Sequence, residues 1–159
     1  MYVYQYLISG ILSIVVSIYI VLKGPRTLAL KFLVFFGLVV SVWEISSFLS
    51  KLAADASTAA NLYKVTLLTS HLCFPLYLLT VLSIPKRRNG LHLFLISVPV
   101  IVQLFLMLGS DYFSNFIFFR SEFGWVYKVV SFSPSIVVVS IIFISYLLGI
   151  LFVLFRLAR

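Results

Sequence analysis

Five long apolar runs, each closed by a short polar or basic stretch, set the pattern of the chain. They cover about residues 3–22, 28–49, 61–84, 91–109 and 133–155. A helix crossing a bilayer needs about 20 predominantly apolar residues, and each run is near that length. Transmembrane β-strands are about half as long and alternate apolar with polar positions, whereas these runs are continuous. The pattern predicts an all-α fold, a polytopic transmembrane bundle of five helices in one integral membrane domain covering residues 1–159. Lys23-Gly-Pro-Arg26 ends the first run and Pro85-Lys-Arg-Arg-Asn-Gly90 the third, both with turn residues. The stretch from Lys51 to Ala60 is small and polar and reads as a loop or a short interfacial helix. Pro75 and Pro99 fall inside the third and fourth runs, where each removes a helical hydrogen bond and predicts a kink.

Residues 110–130 break the pattern. They hold Asp111, Arg120, Glu122 and Lys128 together with eight aromatic residues, among them Phe113, Phe116, Phe123 and Trp125. Too apolar for a free loop and too charged to span, the segment is expected to lie in the interface or to fold over the mouth of the bundle. Arg120, Glu122 and Trp125 are its candidate lid or docking residues.

Composition agrees with the pattern. Hydrophobic residues make up 63% of the 159 and charged residues 10%, against roughly 25% charged in a soluble domain. Mean hydropathy is +1.20. The formal net charge of +8 would suggest nucleic acid in a soluble protein. Here the bases flank apolar runs, so they bear on topology, and no nucleic-acid partner is expected. With the N-terminus outside, the inner segments carry eight bases (Lys23, Arg26, Lys31, Lys86, Arg87, Arg88, Arg156, Arg159) and no acid. The outer ones carry four (Lys51, Lys64, Arg120, Lys128) with Asp55, Asp111 and Glu122. That asymmetry predicts an N-out, C-in multi-pass protein of the cell membrane. No Lys or Arg precedes the first run, so it lacks the basic start of a signal peptide and is expected to be retained.

Few groups capable of chemistry lie within the spans. Glu44 is the one carboxylate, and a charged side chain at the bilayer centre costs roughly 2.5–3.5 kcal/mol on insertion scales. Counted at 1.5 Å per residue, Glu44, His71 and Gln103 all fall about 8–11 Å below the outer boundary. They form a candidate ligand-binding layer with a Glu44–His71 pair at its centre. Interhelical hydrogen bonding that holds the bundle together would use the same residues. Thr66, Ser70, Cys73, Tyr77 and Thr80 trace one stripe of the third helix, expected to be its buried face. Ser9, Ser13 and Ser17, and separately Gly37 and Ser41, have the spacing that lets helix backbones approach.

His71 and His92 lie too far apart along the bundle for joint haem ligation. Cys73 is the single cysteine, so no disulfide and no cysteine-based metal site can form within the chain. Zincin, nucleophile-elbow and phosphate-loop motifs are absent. No metal, no cofactor and no catalytic activity are expected. A non-enzymatic role follows: a sensory or ligand-binding module, or an accessory subunit working through intramembrane helix contacts. Its expected partners are the lipid bilayer and other membrane subunits or a second copy. The alternative is a small transporter or channel component, but the inner half of the bundle offers few polar groups for one.

From Trp43 through Ala60 and Tyr63-Lys64 to Pro75, and then to Gly124-Trp-x-Tyr127 before the last helix, the order of features resembles the N-terminal seven-helix membrane region of certain prokaryotic histidine kinases. The resemblance covers roughly residues 36–159 and implies a sensory role with an outward N-terminus. Against that pattern the sequence has five spans rather than seven and no kinase part with a phosphoacceptor histidine.

Overall fold

A computed structural model of the chain describes residues 2–83, 90–109 and 111–157. Five helices follow one another: α1 (Tyr2–Lys23), α2 (Leu28–Leu52), α3 (Ala56–Leu82), α4 (Gly90–Gly109) and α5 (Pro134–Leu157). Between α4 and α5 come a 3-10 turn (Asp111–Asn115) and two strands, β1 (Phe116–Ser121) and β2 (Gly124–Val129). The basic turn predicted at 84–89, the side chain of His92 and Arg159 lie outside the described residues.

All five predicted helices are present. Four, α1, α2, α3 and α5, are long and apolar enough to cross a membrane, and α4 has a shorter apolar stretch, Ile96–Gly109. Large apolar side chains such as Leu12, Phe35, Phe105 and Phe152 are exposed, an outer surface that suits lipid and not water.

The second connection is much shorter than the sequence suggests. Residues 51–60 form neither a loop nor a separate helix: α2 runs to Leu52, and α3 begins at Ala56. The Asp55 carboxylate accepts from the Thr58 N–H at 2.8 Å and from the Thr58 hydroxyl at 2.8 Å, an N-terminal cap. The alanines that look loop-like beside Asp, Ser and Thr are good helix formers once the cap is in place. At α5, the Ser133 hydroxyl accepts from Ile136 N–H at 3.4 Å and Pro134 takes the first helical position, where its missing N–H costs nothing.

The helices pack in chain order, α1 on α2 and α2 on α3, with α4 and α5 against the other side of α3. Contact between α1 and α2 relies on small residues: a Cβ on Gly37 would collide with the Ser17 hydroxyl. Between α2 and α3, Val39, Cys73 and Leu76 form an apolar core, and the Ser46 and Thr66 hydroxyls bond across at 3.0 Å. Thr66, Cys73 and Thr80 are buried, Ser70 is half-buried and the Tyr77 ring lies 5.8 Å from that of Phe36, so the predicted stripe of α3 is its packed face. Leu78, Ile96, Tyr146 and Ile150 join α3, α4 and α5.

Both prolines sit inside continuous helices. Pro99 offers no N–H to the Leu95 carbonyl, and at the next pair of the ladder, Ile96 and Val100, a side chain steps in. The Tyr146 hydroxyl of α5 donates to the Ile96 carbonyl at 2.6 Å and receives the Val100 N–H, so α5 is tied to the backbone of α4 where a helix is weakest.

Candidate functional site

The aromatic segment is an ordered β-hairpin, which periodicity in the sequence did not reveal. β1 and β2 pair antiparallel with Phe118 opposite Tyr127 and Arg120 opposite Trp125. One side of the hairpin rests on α3: Tyr63 packs against Phe116, Phe118 and Tyr127, the last with ring centroids 4.2 Å apart. The Trp125 indole N–H donates to the Ala53 carbonyl at 2.8 Å, in the α2–α3 connection. Gly124 has φ +98°, and a Cβ there would lie 2.5 Å from the Lys51 carbonyl oxygen; only glycine lets the strand approach so closely. Asn115 holds the base, bonding to Ser131 and, at 3.1 Å, to Ser133.

Beneath β2 lies a cavity of about 550 Å³. Its walls are Tyr6 of α1, Trp43, Ser47, Ser50 and Lys51 of α2, Tyr63, Thr66, Leu67 and Ser70 of α3, and Trp125, Val126 and Tyr127 of β2. Each serine and threonine hydroxyl on the helical walls lies within bonding distance of a carbonyl of its own helix. Ser47 donates to Trp43 O at 2.7 Å, Ser50 to Ser47 O at 2.9 Å, Thr66 to Leu62 O at 3.1 Å and Ser70 to Leu67 O at 2.8 Å. A hydroxyl has one hydrogen and two lone pairs, so once the hydrogens are committed these groups remain as acceptors. Both tryptophans of the chain line this cavity. Lys51 is its only charged wall residue, and its ammonium lies 5.7 Å from the centre of the Tyr6 ring.

The polar layer expected from the sequence divides between two sides of the bundle. Glu44 faces α1, where Ser9 hydrogen-bonds its carboxylate and Gly10 leaves room beside its Cβ. His71 turns toward α5: its Nδ1 bonds to Leu67 O at 2.7 Å and its ring lies 5.1 Å from that of Phe143. The expected Glu44–His71 pair is therefore not formed. Equal depth placed both residues at one level but could not fix their rotation about the helix axes. Gln103 is 2% exposed on the α4 stripe that also carries Ile96 and Met107, and its side-chain nitrogen has no hydrogen-bond partner among the described residues.

Arg120 and Glu122 do not cover that layer. They lie at the hairpin tip, lining a separate open cleft of about 760 Å³ with Tyr6, Lys51 and Phe123. Trp125 lines the cavity beneath β2. Ser47, Ser50, Thr66 and Ser70 were the less visible part of the site. Thr66 and Ser70 belong to the α3 stripe read from the sequence, but Ser47 and Ser50 give no such signal, and serine in such helices commonly bonds its own backbone. No group of three or more His, Cys, Asp or Glu residues that could hold a metal ion occurs among the described residues.

Comparison with protein-family models, with curated proteins and with solved structures finds no match.

Proposed function

We propose that the chain is a non-enzymatic membrane module that binds a small molecule in the cavity under the hairpin, in a sensory role. The observation that carries this reading is the cavity itself, with aromatic faces on two sides, hydroxyl acceptors on its helical walls and a docked strand as its roof. Acceptors and rings favour a neutral ligand with an apolar or planar body and O–H or N–H donors. Lys51, with no acid beside it in the wall, disfavours a cation. Orientation follows the base asymmetry: N-terminus outside, C-terminus inside, and the hairpin on the outer face of the cell membrane. The resemblance to kinase sensor regions supports the same role, with the bundle passing a change at the hairpin toward the inner ends of α3 and α5.

Native mass spectrometry after mild extraction from the source membrane tests the reading. The wild-type chain should retain a small-molecule mass that is lost in Ser47→Phe, which fills the cavity. A fixed complex with larger subunits, with no small molecule in either protein, would instead make the chain an accessory subunit.

A further inference from the structure

We propose that the groove between α1 and α2 is a binding site for one anionic glycerophospholipid, with an acyl chain in the groove and the phosphate at Arg26 and Lys31. The site lies at the end of the bundle opposite the hairpin and is separate from the cavity beneath it. An open groove of about 480 Å³ runs along the two helices, walled by residues such as Leu12, Val16, Ile20, Leu33 and Phe36. From Gln5 to Ile20 it extends about 22 Å at 1.5 Å per residue, somewhat more than the roughly 15 Å depth of one leaflet's hydrocarbon. Ile20 is also a wall of a second hollow, about 370 Å³, formed around the α1–α2 turn by Gly24, Arg26, Thr27 and Lys31. The two spaces thus share the Ile20 side chain as a wall, the first apolar along the helices and the second basic at the turn.

Charge identifies the headgroup. Arg26 and Lys31 are exposed beside this hollow, and Lys23 is exposed at the end of α1. No acid occurs anywhere in residues 1–43, so these cations have no carboxylate partner in either helix below Glu44. Bases close to a lipid surface attract anionic headgroups, and an arginine fork matches phosphate geometry. The hollow also lies at the start of α2, where helical N–H groups carry partial positive charge. The Thr27 hydroxyl takes that of Leu30 at 3.3 Å. Arg26 and Lys31 at the same end of the α1–α2 pair as the foot of an apolar groove fit a lipid better than a free anion, which would leave the groove without an occupant.

The test uses the full chain in nanodiscs of equal phosphatidylglycerol and phosphatidylcholine, read by native mass spectrometry after release. Wild type should retain one phosphatidylglycerol at several-fold excess over phosphatidylcholine. R26Q/K31Q should bring the ratio to that of the bulk, and R26K/K31R should keep the excess. Both pairs are exposed, so helicity and tryptophan emission should match wild type. Ser13→Phe, which obstructs the groove, should lower retention of lipid of either class. A bulk lipid ratio in wild type, or an excess that survives R26Q/K31Q, overturns the proposal. So does a second copy of the chain in place of lipid.

Discussion

Trp125 and Ala53 are 72 residues apart, yet the indole N–H of one donates to the carbonyl of the other at 2.8 Å. This bond fastens the hairpin to the α2–α3 connection. Trp125→Phe retains a ring but loses the donor. A net loss of about 0.5–1.5 kcal/mol is expected for one such bond, with faster hydrogen exchange across residues 116–129 and little change in α3.

Gly124→Ala should be more damaging than its size suggests. The positive φ opposes any side chain, at about 1–3 kcal/mol, and the added methyl would press on the Lys51 carbonyl. Exchange in the hairpin should rise further than in Trp125→Phe, and the Tm should fall.

Tyr146→Phe tests the bridge beside Pro99. Removing the hydroxyl leaves the Ile96 carbonyl without its donor in an apolar setting, at about 1–3 kcal/mol. In a Pro99→Ala background the helix can close its own ladder, so the same substitution should cost clearly less there. Equal losses of thermal stability in the two backgrounds would argue against the bridging role.

A double-mutant cycle separates Glu44 from His71. Glu44→Gln and His71→Gln should add within about 0.3–0.5 kcal/mol, as sites without shared partners do. Glu44→Gln and Ser9→Ala, which remove the two sides of one hydrogen bond, should not add.

Asp55 gives the α3 cap a pH dependence. The Thr58 backbone N–H, followed by the Thr58 hydroxyl, holds its carboxyl below the ordinary aspartate value. A depressed native pKa means that the stabilisation is complete above the ordinary value and is lost as pH falls through the native one. Exchange at residues 56–60 should therefore rise on acidification. Asp55→Asn, which keeps an N-cap acceptor, should remove that pH dependence.

Helix number and placement were legible because long unbroken apolar runs need no amphipathic pattern to be recognised. The α2–α3 connection was not, since Ala-Asp-Ala-Ser-Thr reads as a loop until the Asp55–Thr58 cap is seen. The hairpin was hidden for another reason. Phe116, Phe118 and Tyr127 contact α3, but Phe119 and Phe123 are exposed, so the alternation of a half-buried strand is lost among aromatics on both faces. For the site, depth along a helix can be counted from sequence, whereas rotation about its axis depends on packing. That difference sends Glu44 to α1 and His71 to α5, and leaves the cavity to serines and threonines that make no charge signal.

The central claim is a water-accessible binding cavity that opens at the hairpin end of the bundle. Thiol labelling of Ser70→Cys in a Cys73→Ser background, with a small membrane-impermeant reagent applied to intact cells, tests it most directly. Glu122→Cys at the exposed hairpin tip serves as the reference. The account predicts that both positions react from outside, Ser70→Cys more slowly because the reagent must pass the docked strand. Full reaction at Glu122→Cys with none at Ser70→Cys, or reaction of either only from the inner side, would contradict it.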